Sequence, residues 1–449
     1  MTVSASTLYP GELLPLVEEC LQQRDDFLAT AQRFGTPQYL VDEARINAQA
    51  VRFLQAFTHP QQPTRTHYAL KSNPSLPVVE TIRRAGLCAD ASSGLELDLA
   101  LRCGFPHVVH SGPAKGDDEL ALALEHTERV TVHLDSFAEL ERLEALAARR
   151  QTPIRAGIRL NTEAHGNWTK FGIPAAALGD LVTAANQMKW VQLQGIQFHL
   201  SWNRQAGGYV ETLRDLGPRL AEHAPETGWK FVDIGGGFYP EDDEAVYPWL
   251  TDAQRLRALS GERGADAPAD DWDLRYLLHP VQPIETMAAE IYTAFEQNIC
   301  SAVGPLELWL EPGRYIANKG VHILLRVADI KSDDIALTDG GTNLLGWERL
   351  ESEHCPLINL SHPAPQQRRC RVYGSLCTPH DLWGYAYYGT QLEVGDILLL
   401  PTQGSYVQTL AQRFIKPICQ TVYWHEDGRH EQVEKAETLA DRYPTLRTD

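Results

Sequence analysis

Lys71 follows the apolar run Thr66-His67-Tyr68-Ala69-Leu70 and opens the polar cluster Lys71-Ser72-Asn73-Pro74. A lysine leaving a buried strand is costly when charged and unpaired, and one resolution is a lowered pKa that makes the amine a nucleophile toward an aldehyde. Gly235-Gly236-Gly237 follow Phe231-Val232-Asp233-Ile234, and glycines let backbone N–H groups close around a phosphate. Glu311-Pro312-Gly313-Arg314 sets a carboxylate and a guanidinium three residues apart after another apolar run. His199 ends Gly195-Ile196-Gln197-Phe198-His199 and offers a flat ring. Each feature alone is ordinary, since most lysines are surface lysines and a lone histidine is more often structural than catalytic. Together they provide for aldehyde capture, phosphate binding, ring stacking and a carboxylate partner for a ring nitrogen.

The elements that must position these groups are legible around them. Eight short apolar runs each end in a polar or glycine cluster, with helical patterns between most of them. Strands are expected near 65–70, 87–90, 107–110, 129–134, 154–160, 191–198, 230–234 and 306–310. This alternation predicts a (β/α)₈ barrel, which does its chemistry at the C-terminal ends of its strands and binds phosphate beside the seventh and eighth. Lys71, Asp90, His199, the three glycines and Glu311 then share one face, with Arg314 at the phosphate. After the fourth strand, Phe137, Leu140, Leu143 and Ala147 recur at helical spacing, and Ser136 with Glu139 reads as a capping box.

Past residue 315 the texture changes. The segments 321–330, 368–373, 396–400 and 418–424 are short, β-rich and bounded by Gly, Pro and Asp. The expected organisation is a barrel over 40–315 and a C-terminal β-barrel or sandwich domain formed by 316–449 with residues 1–39. A Pro/Asp-rich insert at 240–278 follows the seventh strand's glycines and reads as either a surface excursion or a lid.

Composition narrows the function classes. A formal net charge of −19 repels nucleic acid and anionic membranes. No apolar run reaches membrane-spanning length, and the N-terminus does not read as a secretory signal. The eight cysteines are scattered without C-x-x-C spacing, which points to thiols in a reducing cytoplasm and away from a zinc site. A metal-dependent barrel hydrolase would need a His/Asp ligand set at the strand ends, where only His199 stands suitably.

One cofactor uses all the groups named at the outset, and it is pyridoxal 5′-phosphate. The sequence resembles the pyridoxal-phosphate decarboxylases of alanine-racemase fold (fold type III), the ornithine/diaminopimelate decarboxylase group. The resemblance runs through HYALKSNP (67–74), ADASSGLEL (89–97), SGPAK (111–115), KFGI (170–173), GIQFHL (195–200), DIGGGF (233–238), LEPGRYI (310–316), TDGGTN (338–343), YGSLCTPHD (373–381) and QGSY (403–406). It implies that Lys71 carries the cofactor as a Schiff base, with Asp90 among the cofactor-binding residues. It implies further that His199 stacks on the ring and Glu311 faces its nitrogen. Gly235, Gly236, Gly237, Gly313, Arg314 and Tyr406 then bind the phosphate side. Cys377 becomes the acid that protonates the α-carbon, reaching in from the partner chain of a homodimer with composite sites.

The residues themselves favour decarboxylation. An acid opposite the pyridine nitrogen keeps the ring protonated, and a protonated ring is the stronger electron sink. Three motifs depart from the pattern. Thr378 stands where relatives carry an acid after the cysteine, leaving Asp381, at a later acidic position, as a candidate substrate reader and Asp339 as either an amine reader or a structural group. Arg349 is the candidate substitute for an absent or altered arginine-containing clamp. Ser201, in HLSWN, replaces a serine that relatives place elsewhere. The expected substrate is a diaminopimelate-, ornithine- or lysine-like amino acid or a conjugate, of either configuration. Two alternatives stay open: a racemase of the same fold and a non-catalytic binding protein.

Overall fold

The computed structural model describes residues 13–161, 167–241, 245–246, 276–278, 280–346 and 353–445. The chain divides into two units, one of residues 47–239 and 281–316, the other of 1–46, 240–280 and 317–449.

The first unit is a closed parallel barrel. Its strands are β1 (Thr64–Ala69), β2 (Cys88–Ala91), β3 (Val108–His110), β4 (Val130–Leu134), β5 (Ile154–Asn161), β6 (Val191–Gln197), β7 (Phe231–Asp233) and β8 (Glu307–Leu310). They pair in that order, and β8 closes on β1 with Leu308 opposite Thr64. The helices are α1 (Glu43–Ala56), α2 (Leu76–Arg84), α3 (Gly94–Cys103), α4 (Asp117–Glu125), α5 (Phe137–Arg150), α6 (Leu178–Asn186), α7 (Gly207–Thr227) and α8 (Ile284–Ala294). Strands and helices alternate because short, mostly buried runs are followed by polar or glycine turns, and two of the helices open on a serine cap, Ser93 and Ser136. At the start of α5, Ser136 Oγ accepts from the Glu139 N–H at 3.2 Å. The reciprocal half of the expected capping box does not form, because the Glu139 carboxylate turns to Lys115 and to the Asp135 N–H. Leu140, Leu143 and Ala147 are buried, as the periodicity predicts, whereas Phe137, which opens the stripe, is exposed.

Aromatic rings fill the barrel. Phe231 and Trp309 stack with centroids 3.7 Å apart. Glycine on the neighbouring strands makes the room, since a Cβ at Gly157 or Gly195 would run into the Phe231 ring. His67 Nε2 lies 2.9 Å from His107 Nδ1, and His107 Nε2 lies 3.1 Å from Thr131 Oγ1. These groups form a neutral, hydrogen-bonded layer near the N-terminal ends of the strands; burial pushes the His67 pKa down to about 3.

The second unit is a nine-stranded sheet. Its long strand, Val321–Ser332, pairs with both Ile335–Thr338 and Ile397–Leu400, so six of the strands close into a ring. Gln38–Asp42 joins the sheet between Val321–Ser332 and Gln420–Trp424. Helices Leu14–Gln22 and Arg24–Phe34 bury Leu16, Val17, Cys20 and Phe27 in its core. Of the 240–278 insert, residues 240–241, 245–246 and 276–278 are described; Ala245–Val246 and Leu277–Leu278 form a small sheet with Glu353–His354 in this same unit. The remainder proposed as a lid lies outside the described residues.

Candidate active site

Lys71 stands two residues past the end of β1, in the short turn Leu70–Ser72. Its Nζ donates to Asp90 Oδ2 at 3.1 Å and reaches Ser92 Oγ at 3.5 Å. Asp90 comes from β2, is fully buried, and also accepts the hydroxyl of Ser111 at the end of β3. Burial alone would raise its pKa, but the Lys71 charge and the Ser111 hydroxyl outweigh burial and hold it below the ordinary carboxylate range. The cost of a charged lysine at this position is met by an ion pair. Lys71 is paired, and its side chain is 36% exposed, so it is reachable from the barrel mouth.

His199, two residues past β6, accepts the Gly236 N–H on Nδ1 at 3.2 Å, which leaves its own proton on Nε2. Burial first, then the charges of Lys71 and Arg159, push its pKa down to about 3. The glycine run is built into its surroundings. Gly235 and Gly237 have φ of +69° and +92°. A Cβ at Gly236 would run into the Glu311 carbonyl oxygen, and one at Gly237 into that of Leu200. Tyr209 O–H donates to the Gly236 carbonyl at 2.5 Å, and Asn203 N–H donates to that of Gly237 at 2.9 Å. The Gly235 N–H donates to Asp233 Oδ1 at 2.9 Å.

Glu311 ends β8 and is 2% exposed. Gln197 Nε2 donates to its Oε2 at 3.2 Å, while its Oε1 is buried with no hydrogen-bond partner. Burial, then the nearby Asp233 and Asp90, push its pKa far above the carboxylate range. Asp233, on β7, is likewise raised to about 7, chiefly by burial. Gly313 packs against Ser72, and Arg314 sits over the Tyr239 ring at 5.1 Å. Ser201 is half-buried in the loop after β6.

Sequence reasoning missed Ser111, His133, Gln197 and Asp233. Ser111, Gln197 and Asp233 lay inside quoted motifs. His133 lay in none, and a polar residue inside a strand does not declare which face it takes.

The remaining candidates belong to the sheet unit. Cys377 is an exposed, free thiol, and Thr378 is half-buried. Tyr406 is held at φ +59°, uncommon for a residue other than glycine. Two candidate substrate readers have other work. Asp381 is 1% exposed, and its Oδ1 accepts the Thr342 N–H at 2.7 Å and hydroxyl at 2.9 Å. Its Oδ2 accepts the Leu376 N–H at 2.5 Å. Asp339 accepts the Arg326 N–H at 2.9 Å and the Thr36 hydroxyl at 2.6 Å. Arg349 lies outside the described residues.

A barrel whose strand ends carry an acid-paired lysine, a glycine run, an arginine and a buried acid defines a class of protein built for a phosphorylated aldehyde with a basic ring. The residues fit pyridoxal phosphate, because Glu311 Oε1 is a buried acceptor with no donor. Residues 43–318 match the pyridoxal-binding domain of the pyridoxal-dependent decarboxylases, and 314–404 match the C-terminal sheet domain of that family. The chain belongs to this family and is a pyridoxal-phosphate-dependent carboxy-lyase acting on an amino acid. It is 25% identical over 437 residues to the diaminopimelate decarboxylase of Methanothermobacter thermautotrophicus, covering 93% of this chain and 92% of that one. It is also 25% identical to the Bacillus subtilis diaminopimelate decarboxylase, with the same coverage. The fold matches the crystal structure of the M. jannaschii diaminopimelate decarboxylase in complex with L-lysine, with a TM-score of 0.77, 21% identity and 94% of each chain covered. The lysine/ornithine decarboxylase of Vibrio vulnificus, complexed with putrescine, matches with a TM-score of 0.68 and 21% identity, covering 90% of this chain and 98% of that one. Among the described residues no helix is long and apolar enough to cross a membrane.

Proposed function

We propose that this chain removes the α-carboxylate from an amino acid whose far end is not a bare ammonium. The reading is carried by the pairing of Lys71 with Asp90 on one side of the barrel mouth and the unpartnered Glu311 oxygen on the other. Bound pyridoxal phosphate supplies the electron sink on which the carboxylate is lost. Lys71 is the amine for the aldehyde, and Asp90 holds that amine in place. Neutral His199, its tautomer fixed by Gly236, would offer its ring face to the cofactor. Glu311 would face the ring nitrogen and keep it protonated, which supports decarboxylation over racemisation. Gly237, Gly313, Arg314 and Ser201 would hold the phosphate. The amides of Gly235 and Gly236 are already committed to Asp233 and His199, so these two glycines set the loop's shape.

Cys377 delivers the proton to the α-carbon. Its exposure on its own unit suits delivery to the barrel of a second copy, and we propose a homodimer on that ground. The free thiols of Cys88, Cys103, Cys370 and Cys419 suit a cytoplasmic setting.

The substrate reading follows from Thr378, Asp339 and Asp381. A lone distal ammonium needs an acid, and the candidate carboxylates are holding loops together. Diaminopimelate, for which the relatives above are named, and amide-linked diamino acids belong to the proposed class. The test is CO₂ release from a panel of L- and D-lysine, L- and D-ornithine, the diaminopimelate stereoisomers and N-acylated diamino acids. Turnover of diaminopimelate or an acylated member at least tenfold above lysine and ornithine is expected. Preference for lysine or ornithine would sink the substrate reading.

A further inference from the structure

Inside the barrel, directly beside Glu311, three side chains from β4, β7 and β8 converge. His133 Nδ1 lies 3.7 Å from Glu311 Oε1, and His133 Nε2 lies 3.8 Å from Asp233 Oδ2. All three side chains are buried, and none of these four atoms has a hydrogen-bond partner. The gaps exceed hydrogen-bonding range by roughly half an ångström to an ångström, so a small side-chain movement closes either one. The imidazole plane is set by Phe231 and Trp309, both inclined to it by 27° at 5.9 and 6.4 Å. Lys115 Nζ donates to the His133 carbonyl at 2.6 Å and fixes the backbone at that position.

We propose that His133 is a positioning residue that relays one proton between Glu311 and Asp233, so that Glu311 becomes negative when the cofactor's ring nitrogen carries a proton. The proposal rests on the reading of Glu311 as the ring-nitrogen partner. A neutral imidazole has one N–H and one lone pair. With the hydrogen on Nε2, His133 donates to ionised Asp233 and accepts from protonated Glu311. With the hydrogen on Nδ1, it donates to ionised Glu311 and accepts from protonated Asp233. Passing between the two arrangements moves the Glu311 proton to Nδ1 and the Nε2 proton to Asp233 Oδ2. The imidazole ends as neutral as it began, and the net charge of the buried cluster does not change. That constancy matters because a second uncompensated charge there would be expensive.

The surroundings keep His133 in the neutral form that a relay requires. Burial drives its pKa well below the ordinary value. The charged and titratable groups facing it are His67 from β1, Asp90 from β2 and Lys115 after β3. Arg159 from β5 completes them, with Asp233 and Glu311 themselves. His107, beside β3, feels the His133 charge in turn. Asp90 alone of the groups on β1, β2, β3 and β5 would favour a charged imidazole, and burial together with His67, Lys115 and Arg159 outweighs it.

The test is ¹⁵N-histidine NMR of the full chain, before and after adding pyridoxal 5′-phosphate, with His133→Phe used to assign the resonance. Cofactor binding is expected to move the hydrogen of His133 from Nε2 to Nδ1. An unchanged tautomer in a chain that has taken up the cofactor overturns the relay alone. A wild-type chain that takes up no cofactor overturns the Glu311 reading and the relay with it. As a second measurement, His133→Phe and His133→Gln are loaded with cofactor and their absorbance is titrated with pH. The Phe variant is expected to shift the midpoint by about one pH unit or more and to lower kcat roughly tenfold to a hundredfold with little change in KM, as removal of an outer-layer partner typically does. Gln, which can still donate to one carboxylate, is expected to recover part of the shift. A Phe variant whose absorbance and kcat profiles superimpose on the wild type overturns the proposal.

Discussion

The backbone N–H of Gly236 donates to Nδ1 of His199 across 3.2 Å, so a loop glycine sets the tautomer of the ring on the next strand end. The glycine can reach that position only because it lacks a Cβ, which would strike the Glu311 carbonyl oxygen. Gly236→Ala is therefore expected to push the loop away from both β6 and β8. Cofactor affinity, followed by equilibrium titration, should fall at least tenfold, with a loss of about 1–3 kcal/mol in stability from the overpacking. Unchanged affinity would show that the loop has room that the geometry denies.

Lys71→Ala removes the amine and leaves Asp90 with the Ser111 hydroxyl as its partner. The visible absorbance of lysine-bound cofactor should vanish, and CO₂ release should fall by several orders of magnitude, because a covalent nucleophile is lost. Stability should fall as well, since fully buried Asp90 loses its countercharge; solvent reaching the partly exposed lysine position should keep the loss below the roughly 3–5 kcal/mol of a wholly buried pair. A variant that keeps the absorbance band would end the assignment of Lys71.

Lys115 and Glu139 form a buried ion pair at 2.7 Å, with side chains 1% and 3% exposed. Lys115→Met strands a buried carboxylate and is expected to cost about 3–5 kcal/mol in denaturant unfolding. The double variant Lys115→Met with Glu139→Leu should recover much of that loss. A single variant as stable as wild type would mean that the pair is dispensable.

Asp233 gives a pH prediction. Its folded pKa is raised to about 7, chiefly by burial, against an ordinary carboxylate value of about 4 in the unfolded chain. Between those values the folded state holds a proton that the unfolded state has released, so this residue makes stability fall as pH rises from about 4 to 7. Below that window it contributes no pH dependence. Asp233→Asn in cofactor-free protein should therefore gain Tm relative to wild type progressively from pH 5 to pH 8. A Tm difference that is flat or declines over that range would contradict the raised value.

The eight barrel strands were legible because each is a short, mostly apolar run stopped by glycine or polar residues, and every expected strand overlaps an observed one. Lys71, His199 and Glu311 were legible because they sit where such runs stop. The inner groups were not. His133 and Gln197 are polar residues inside strands, and whether a strand residue faces the barrel interior depends on stagger that one sequence does not carry. Asp381 was misread for a related reason: an acid in a motif looks the same whether it meets a ligand or ties its own loop. Three donors on its oxygens decide for the loop.

That tie gives the segment from Thr378 to His380 a particular freedom. Its own hydrogen bonds are short-range: Thr378 N–H to the Leu376 carbonyl at 2.9 Å, and His380 N–H to the Thr378 hydroxyl at 3.4 Å. The clamp on Leu376 and Thr342 is made by a neighbour outside the segment. Exchange of these three residues can therefore retune recognition without unfastening the hairpin that presents Cys377, which makes this stretch an entry point for evolving or engineering new substrate preference.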